Sequence, residues 1–179
     1  MRIRYVYSET ENEWNSSEWR CAVPAKALNQ TGQHQARLLG IHEFVRNTEQ
    51  ARTLCGASDV IVVQRSFVEP VTTRIQQWQN KGKVVIGDFD DAFNLIPKSN
   101  RGYKYWNQGK VLTTGKDGKP KWMRIEPHPM TQFKKGLGTL DAVTVSSELL
   151  VKDWEHYNSS IHYLYNYILF EVYKKDNRS

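Results

Sequence analysis

The stretch VVIGDFDDAF, residues Val84–Phe93, decides the fold class of this chain. Its opening run is apolar and rich in β-branched residues, which is typical of a strand buried on both faces of a parallel sheet. Three carboxylates, Asp88, Asp90 and Asp91, follow where this strand is predicted to stop. Ligands of open α/β sheets bind at the carboxyl ends of the strands, so the acidic cluster marks a candidate site.

Strand-like and helix-like segments alternate on both sides of this stretch. Strands are predicted at Arg2–Tyr7, Gln35–Ile41, Val60–Gln64, Lys83–Gly87, Ala142–Val145 and Ile161–Leu164. Helices are predicted at Trp19–Thr31, Thr48–Leu54, Val68–Asn80 and Met130–Leu140, and one more runs to Tyr157 with Ser146 or Ser147 as its N-cap. This alternation predicts an α/β fold, with a mostly parallel sheet and helices on both of its faces.

Residues 94–128 interrupt the alternation. They are rich in glycine, proline and aromatic residues, and they form a long loop in this interpretation. Loops of this length in a domain are usually functional or disordered. Within the loop, GKDGKPK at Gly115–Lys121 predicts the tip of a hairpin.

Composition limits the classes of protein that this chain fits. Its 179 residues suit one domain. No apolar run approaches the ~20 residues of a membrane span, and the amino terminus lacks a signal-peptide pattern. The two cysteines, Cys21 and Cys55, show no metal-ligand spacing. The formal charge of +6 favours anionic partners, but the cations are dispersed, so nucleic acid is not expected. These features predict a cytoplasmic protein and leave open a peripheral contact with a membrane.

The aspartates allow more than one chemistry. Turn and cap hydrogen bonds are the simplest role of such residues, and an ion pair of Arg65 with Asp88 or Asp90 is a second. Asp88 and Asp90 also have the DxD spacing of haloacid-dehalogenase-like phosphatases, which this stretch resembles. In that family the first Asp attacks phosphorus and the second handles the proton. Ala92, however, stands where that motif prefers Thr or Val.

A longer pattern resembles the N-terminal half of GT-B-fold glycosyltransferases of the group 1 type. The segments that carry it are WRCAVPAKAL, ASDVIVVQR, GKVVIGDFDDAFNLIP, LDAVTVSSELL and HYLYNYI, in that order. The resemblance covers about Arg2 to Tyr173. It implies a Rossmann-like three-layer sandwich over residues 1–173, a polar tail at 174–179, and a C-terminal donor-binding domain that is absent from the chain.

That resemblance implies an acceptor-side domain of a transferase in polysaccharide biosynthesis. The acceptor would be a saccharide or a lipid-linked sugar. The nucleotide-sugar donor would be held by the absent domain or by a partner chain, and no metal or other cofactor is expected. Alone, the chain would be inactive. A non-catalytic carbohydrate-binding Rossmann-like module is the remaining alternative.

Site residues follow from this reasoning. The catalytic candidates are Asp88, Asp90 and Asp91, any of which could serve as a general base on an acceptor hydroxyl. The substrate-binding candidates are Gln64, Arg65, Ser146, Asn166, Tyr103 and Trp106. The sequence departs from the family at two places: the late Pro-Asn turn is Tyr165-Asn166, and the loop after the first strand lacks the glycine-rich turn of many members.

Overall fold

The computed structural model describes residues 1–8 and 15–165. Its centre is a six-stranded sheet in which every neighbouring pair is parallel. The strands are β1 (Arg2–Tyr7), β2 (Gln35–Gly40), β3 (Val60–Gln64), β4 (Val84–Phe89), β7 (Ala142–Val145) and β8 (Ile161–Tyr163). Their order is β2-β1-β3-β4-β7-β8. The chain moves from one side of β1 to the other between β2 and β3, so the carboxyl ends of β1 and β3 form the topological switch point.

Helices cover both faces of the sheet. They are α1 (Val23–Gln30), α2 (Ile41–Arg46), α3 (Glu49–Gly56), α4 (Glu69–Gln79), α5 (Tyr103–Trp106), α6 (Pro129–Thr139) and α7 (Glu148–Trp154). A π-helical turn, Glu18–Ala22, leads into α1. The larger core lies on one face, where α2, α3, α4, α6 and α7 bury side chains against alternate strand residues. On the opposite face, Ala25 of α1 packs with Ile3, Ala36 and Val62. This arrangement is a Rossmann-like three-layer α/β fold, as the sequence predicts.

A second, two-stranded sheet lies within residues 94–128. It is an antiparallel hairpin of β5 (Lys110–Thr114) and β6 (Pro120–Arg124). Gly118 takes a φ of 75°, which its turn requires and which glycine adopts without a steric cost. The predicted hairpin tip is therefore confirmed, and the segment predicted as one long loop contains α5, β5 and β6.

Several predicted boundaries are confirmed and others are wrong. The bounds of β3 and β7 are confirmed to the residue. The strand predicted to run to Ile41 ends at Gly40, because Ile41 begins a helix that the sequence analysis missed. The Glu43 side chain accepts a hydrogen bond from the Gly40 N–H at 3.0 Å, which helps to start that helix. The helix predicted to reach Tyr157 ends at Trp154.

One wrong boundary bears on the site. The strand predicted to end at Gly87 continues through Asp88 and Phe89, because β7 pairs with it up to Phe89. Asp88 is therefore a strand residue, and Asp90 and Asp91 are the first residues beyond the strand. Phe89 is fully buried among Phe67, Phe133 and Trp154 and anchors this end of β4. In the part of the chain that the structure describes, no helix is both long and apolar enough to cross a bilayer.

Candidate functional site

Asp88 lies on the face of the sheet that α1 covers, away from solvent. Its Oδ2 accepts a hydrogen bond from Arg20 Nε at 2.8 Å, and its Oδ1 contacts Arg20 Nη2. Thr144 Oγ1 donates a third hydrogen bond to Oδ1 at 2.5 Å. Both carboxylate oxygens are thus engaged inside the protein, which favours a structural role for Asp88.

Arg20 extends this buried contact toward the edge of the sheet that β8 forms. Its Nη1 donates a hydrogen bond at 3.0 Å to the backbone oxygen of Leu164, just after β8. Burial alone would lower the pKa of Arg20, but the hydrogen bonds to Asp88 and its negative charge outweigh that effect and raise the pKa. Arg20 therefore stays charged, and its contacts with Asp88 and Leu164 tie the π-helical turn to β4 and to the end of β8.

Asp90 and Asp91 have different surroundings from Asp88, because Arg65 holds both of them. Arg65 Nε lies 2.6 Å from Asp90 Oδ1, and Arg65 Nη2 contacts Asp91 Oδ2. Burial raises the pKa of Asp90; Arg65 opposes the shift and the neighbouring Asp91 adds to it. The Asp90 side chain is only 15% exposed, whereas that of Asp91 is 60% exposed. Of the two ion pairs predicted for Arg65, the one with Asp90 is present.

Arg65 reaches these carboxylates through an unusual backbone conformation. Its φ is 56°, in the left-handed region that non-glycine residues seldom adopt. Its N–H donates to the backbone oxygen of Asp88 at 3.0 Å, and the Ser66 N–H donates to the backbone oxygen of Gln64 at 2.6 Å, so the chain turns directly at the end of β3. The guanidinium carbon also lies 5.8 Å from the centre of the Phe93 ring. Such conformations concentrate at functional sites, where the surrounding structure holds them in place.

Gln64, predicted to bind substrate, is instead fully buried at the end of β3. Its Oε1 accepts hydrogen bonds from Ser17 Oγ at 2.7 Å and from the Ser8 N–H at 3.2 Å. Its Nε2 donates to Ser16 Oγ at 3.2 Å. These contacts make Gln64 a buried link between the end of β1 and the segment ahead of α1.

Ser146 and Ser147 stabilise the backbone beside the acidic cluster. Ser146 Oγ donates a hydrogen bond to the backbone oxygen of Asp90 at 2.8 Å. Ser147 Oγ accepts one from the Leu150 N–H at 3.3 Å, so Ser147 is the N-cap of α7. Ser146 therefore positions the Asp90 turn, and the predicted cap is confirmed.

A cavity of about 520 Å³ opens at the carboxyl ends of β1, β3 and β4. Polar groups and aromatic faces both line it, and the main ones are Ser8, Arg65, Ser66, Asp91, Phe93, Asn100, Tyr105 and Trp106. Trp106 packs against Phe93 with ring centres 4.6 Å apart. The cavity borders the topological switch point, where open α/β sheets bind their ligands. We call it the rim cavity.

The structure brings only part of the predicted site together. Arg65, Asp91 and Trp106 line the rim cavity. Tyr103 lines a neighbouring polar cavity of about 660 Å³, together with Lys98, Lys104 and Trp122. Asn166 lies outside the described residues.

Ser8 and Asn100 are among the rim-cavity residues that the sequence did not single out as site residues. Ser8 had a usable signal, since it directly follows a predicted strand. Asn100 had none, because it lies in an irregular segment whose path only packing defines. Among the described residues, no three His, Cys, Asp or Glu side chains gather as a metal site would require.

Comparison with known proteins does not place the chain in a family. No family model matches the sequence, and a search of curated proteins finds no significant match.

Proposed function

We propose that this domain is the acceptor-side half of a glycosyltransferase and that the rim cavity binds the acceptor sugar. One observation carries the proposal: hydrogen-bonding groups and aromatic rings line the same cavity at the carboxyl ends of the strands. A sugar presents hydroxyl groups around its ring and an apolar C–H face, so it needs both kinds of contact. Tyr105 and Trp106 supply rings, and Asn100, Ser66 and Asp91 supply hydrogen-bonding groups.

Asp91 is the carboxylate best placed to act on such an acceptor. It lines the rim cavity and is largely exposed, and Arg65 orients it. In an inverting transfer, the acceptor oxygen bonds to the anomeric carbon as the bond from that carbon to the donor diphosphate breaks. The hydroxyl proton then passes to Asp91 as general base. A retaining transfer requires no base from this domain. The donor is a nucleotide sugar supplied by a further domain or a partner chain, and the acceptor is a saccharide or a lipid-linked sugar.

Saturation-transfer NMR tests the proposal on the chain itself. The probes are methyl glycosides of glucose, galactose, mannose and N-acetylglucosamine, with UDP-glucose and GDP-mannose as donors. We expect saturation transfer to at least one methyl glycoside and weak or absent transfer to the donors. Asn100→Ala and Asp91→Asn should each weaken glycoside binding about tenfold, as expected for a lost hydrogen bond to a polar ligand.

Matched controls lie at exposed positions that do not line the rim cavity. Asn107→Ala and Asp117→Asn carry the same chemical changes, and we expect them to bind glycosides as the unchanged chain does. Absence of transfer to every glycoside would contradict the proposal. Mg²⁺-dependent hydrolysis of p-nitrophenyl phosphate that is lost in Asp90→Asn would instead support the haloacid-dehalogenase-like phosphatase alternative, in which Asp90 handles the proton.

A further inference from the structure

Positive charge is concentrated in one part of the chain. Residues 98–124 contain eight lysines and arginines and a single acid, Asp117, which is a formal charge of +7. The whole chain carries +6, so the remaining residues sum to −1. The structure folds this segment into α5 and the β5–β6 hairpin. We call residues 98–124 the basic lobe.

Apolar side chains lie among these cations on the hairpin. Leu112 pairs with Trp122 across the two strands, and Lys110 pairs with Arg124. Side chains alternate between the two faces of a strand, so these four share one face. Lys104 of α5 places its ammonium 4.1 Å from the centre of the Trp122 ring. An apolar cross-strand pair is thus flanked by cations.

This surface is open to solvent. Leu112 is 53% exposed and Trp122 is 45% exposed. All five residues of β6 are exposed. Glu126, the first acid after the lobe in the sequence, lies 3.9 Å from Arg124, and both side chains are largely in water. Exposed apolar residues grouped in this way mark interaction surfaces.

We propose that the basic lobe docks on the surface of an anionic phospholipid bilayer. Charge complementarity selects a negative partner and disfavours a second copy of this chain, whose lobe carries the same charge. Cations near an anionic leaflet each strengthen attachment, and Trp side chains settle at the level of the headgroups. Leu112 favours lipid over nucleic acid, because an aliphatic side chain can enter the interface but cannot stack on bases as aromatic rings do. This inference does not depend on the proposed function.

Vesicle sedimentation with the full chain tests the proposal. The probes are vesicles of phosphatidylcholine alone and vesicles of equal parts phosphatidylcholine and phosphatidylserine. We expect binding to the anionic vesicles only, with an affinity that falls as salt is raised. Lys119→Glu with Lys121→Glu should lower the affinity at least about 25-fold, since each cation near the surface contributes about fivefold. Leu112→Ser with Trp122→Ser should lower it about tenfold.

The controls are Leu149→Ser and Lys152→Glu on α7, where the same changes fall on exposed positions outside the lobe. They should bind as the unchanged chain does, and circular dichroism should show that every variant is folded. Failure to bind anionic vesicles, or an equal loss in the α7 variants, would overturn the proposal. Tighter binding to a single-stranded RNA oligonucleotide that the Leu112/Trp122 variant does not weaken would also overturn it, in favour of a nucleic-acid partner.

Discussion

Arg20 and Asp88 form a two-point ion pair inside the protein, with side-chain exposures of only 3% and 2%. The two residues are 68 positions apart in the sequence. A buried charge that loses its partner is costly, whereas a buried pair replaced as a whole by apolar groups often costs little. The pair therefore gives a structural reason for a carboxylate within a buried strand.

Removing one partner of this pair should strongly destabilise the fold. We expect Asp88→Leu to lower the free energy of unfolding by about 3–5 kcal/mol, because Arg20 would stay buried without a counter-charge. Adding Arg20→Met should recover part of that loss, even though Thr144 and the Leu164 carbonyl lose a partner. Urea denaturation of the two single variants and the double variant measures both effects. Additive losses in the double variant would contradict a coupled pair.

Two glycines of α6 should respond in opposite ways to alanine. A Cβ at Gly136 would lie 2.7 Å from Phe67 Cβ, inside the core, so Gly136→Ala should cost about 1–3 kcal/mol of stability through overpacking. A Cβ at Gly138 would meet only the Tyr157 carbonyl at an ordinary 3.4 Å. Gly138→Ala should therefore raise stability by up to about 1 kcal/mol, the helix propensity difference. Thermal unfolding of the two variants measures both effects. Equal shifts of the melting temperature would contradict the close packing of Gly136 against Phe67.

The carboxyl group of Asp90 should titrate above the ordinary aspartate pKa of about 3.9. Burial raises its pKa, Arg65 lowers it and Asp91 raises it. Arg65→Met should therefore shift the titration upward and Asp91→Asn should shift it downward, as followed by the carboxyl ¹³C chemical shift. Shifts of the same sign in the two variants would contradict this account.

The pH dependence of stability follows from the same shift. A folded-state pKa above the unfolded value means that the folded protein binds the Asp90 proton more tightly. The resulting stabilisation is present below the unfolded pKa and is lost as pH rises through the folded pKa. Between the unfolded and the folded pKa of Asp90, the denaturant midpoint should fall more steeply with rising pH in the unchanged chain than in Asp90→Asn.

Cys55 should be unreactive while the protein is folded. It is fully buried, and that burial raises the pKa of its thiol to about 11, with Arg4 and Lys83 opposing the shift. In a Cys21→Ser variant, reaction with a disulfide reagent at mildly alkaline pH should be slow and should accelerate through the urea transition, since the thiolate is the reactive form. A fast reaction without urea would show that this part of the core opens locally.

Local pattern was enough to predict most of the fold. The apolar runs at Val60–Gln64 and Ala142–Val145 became strands with those bounds, because a buried parallel strand needs a continuous apolar segment. The helix at Ile41–Arg46 was missed: it is short, and its start uses a glycine and a glutamate side chain rather than a common N-cap residue. The end of β4 was misplaced, because pairing with β7, more than fifty residues later, extends that strand.

By itself, the sequence determined that acidic and polar residues gather where parallel strands end, since alternation and hydrophobic period are local properties of the chain. Only the tertiary structure decided what each residue does there. Asp88 pairs with Arg20 across 68 residues, Arg65 turns toward Asp90 and Asp91, and Gln64 points into the protein. Periodicity specifies which face of an element a side chain occupies. Its partners, and therefore its charge environment and its access to a ligand, are set by packing between distant segments.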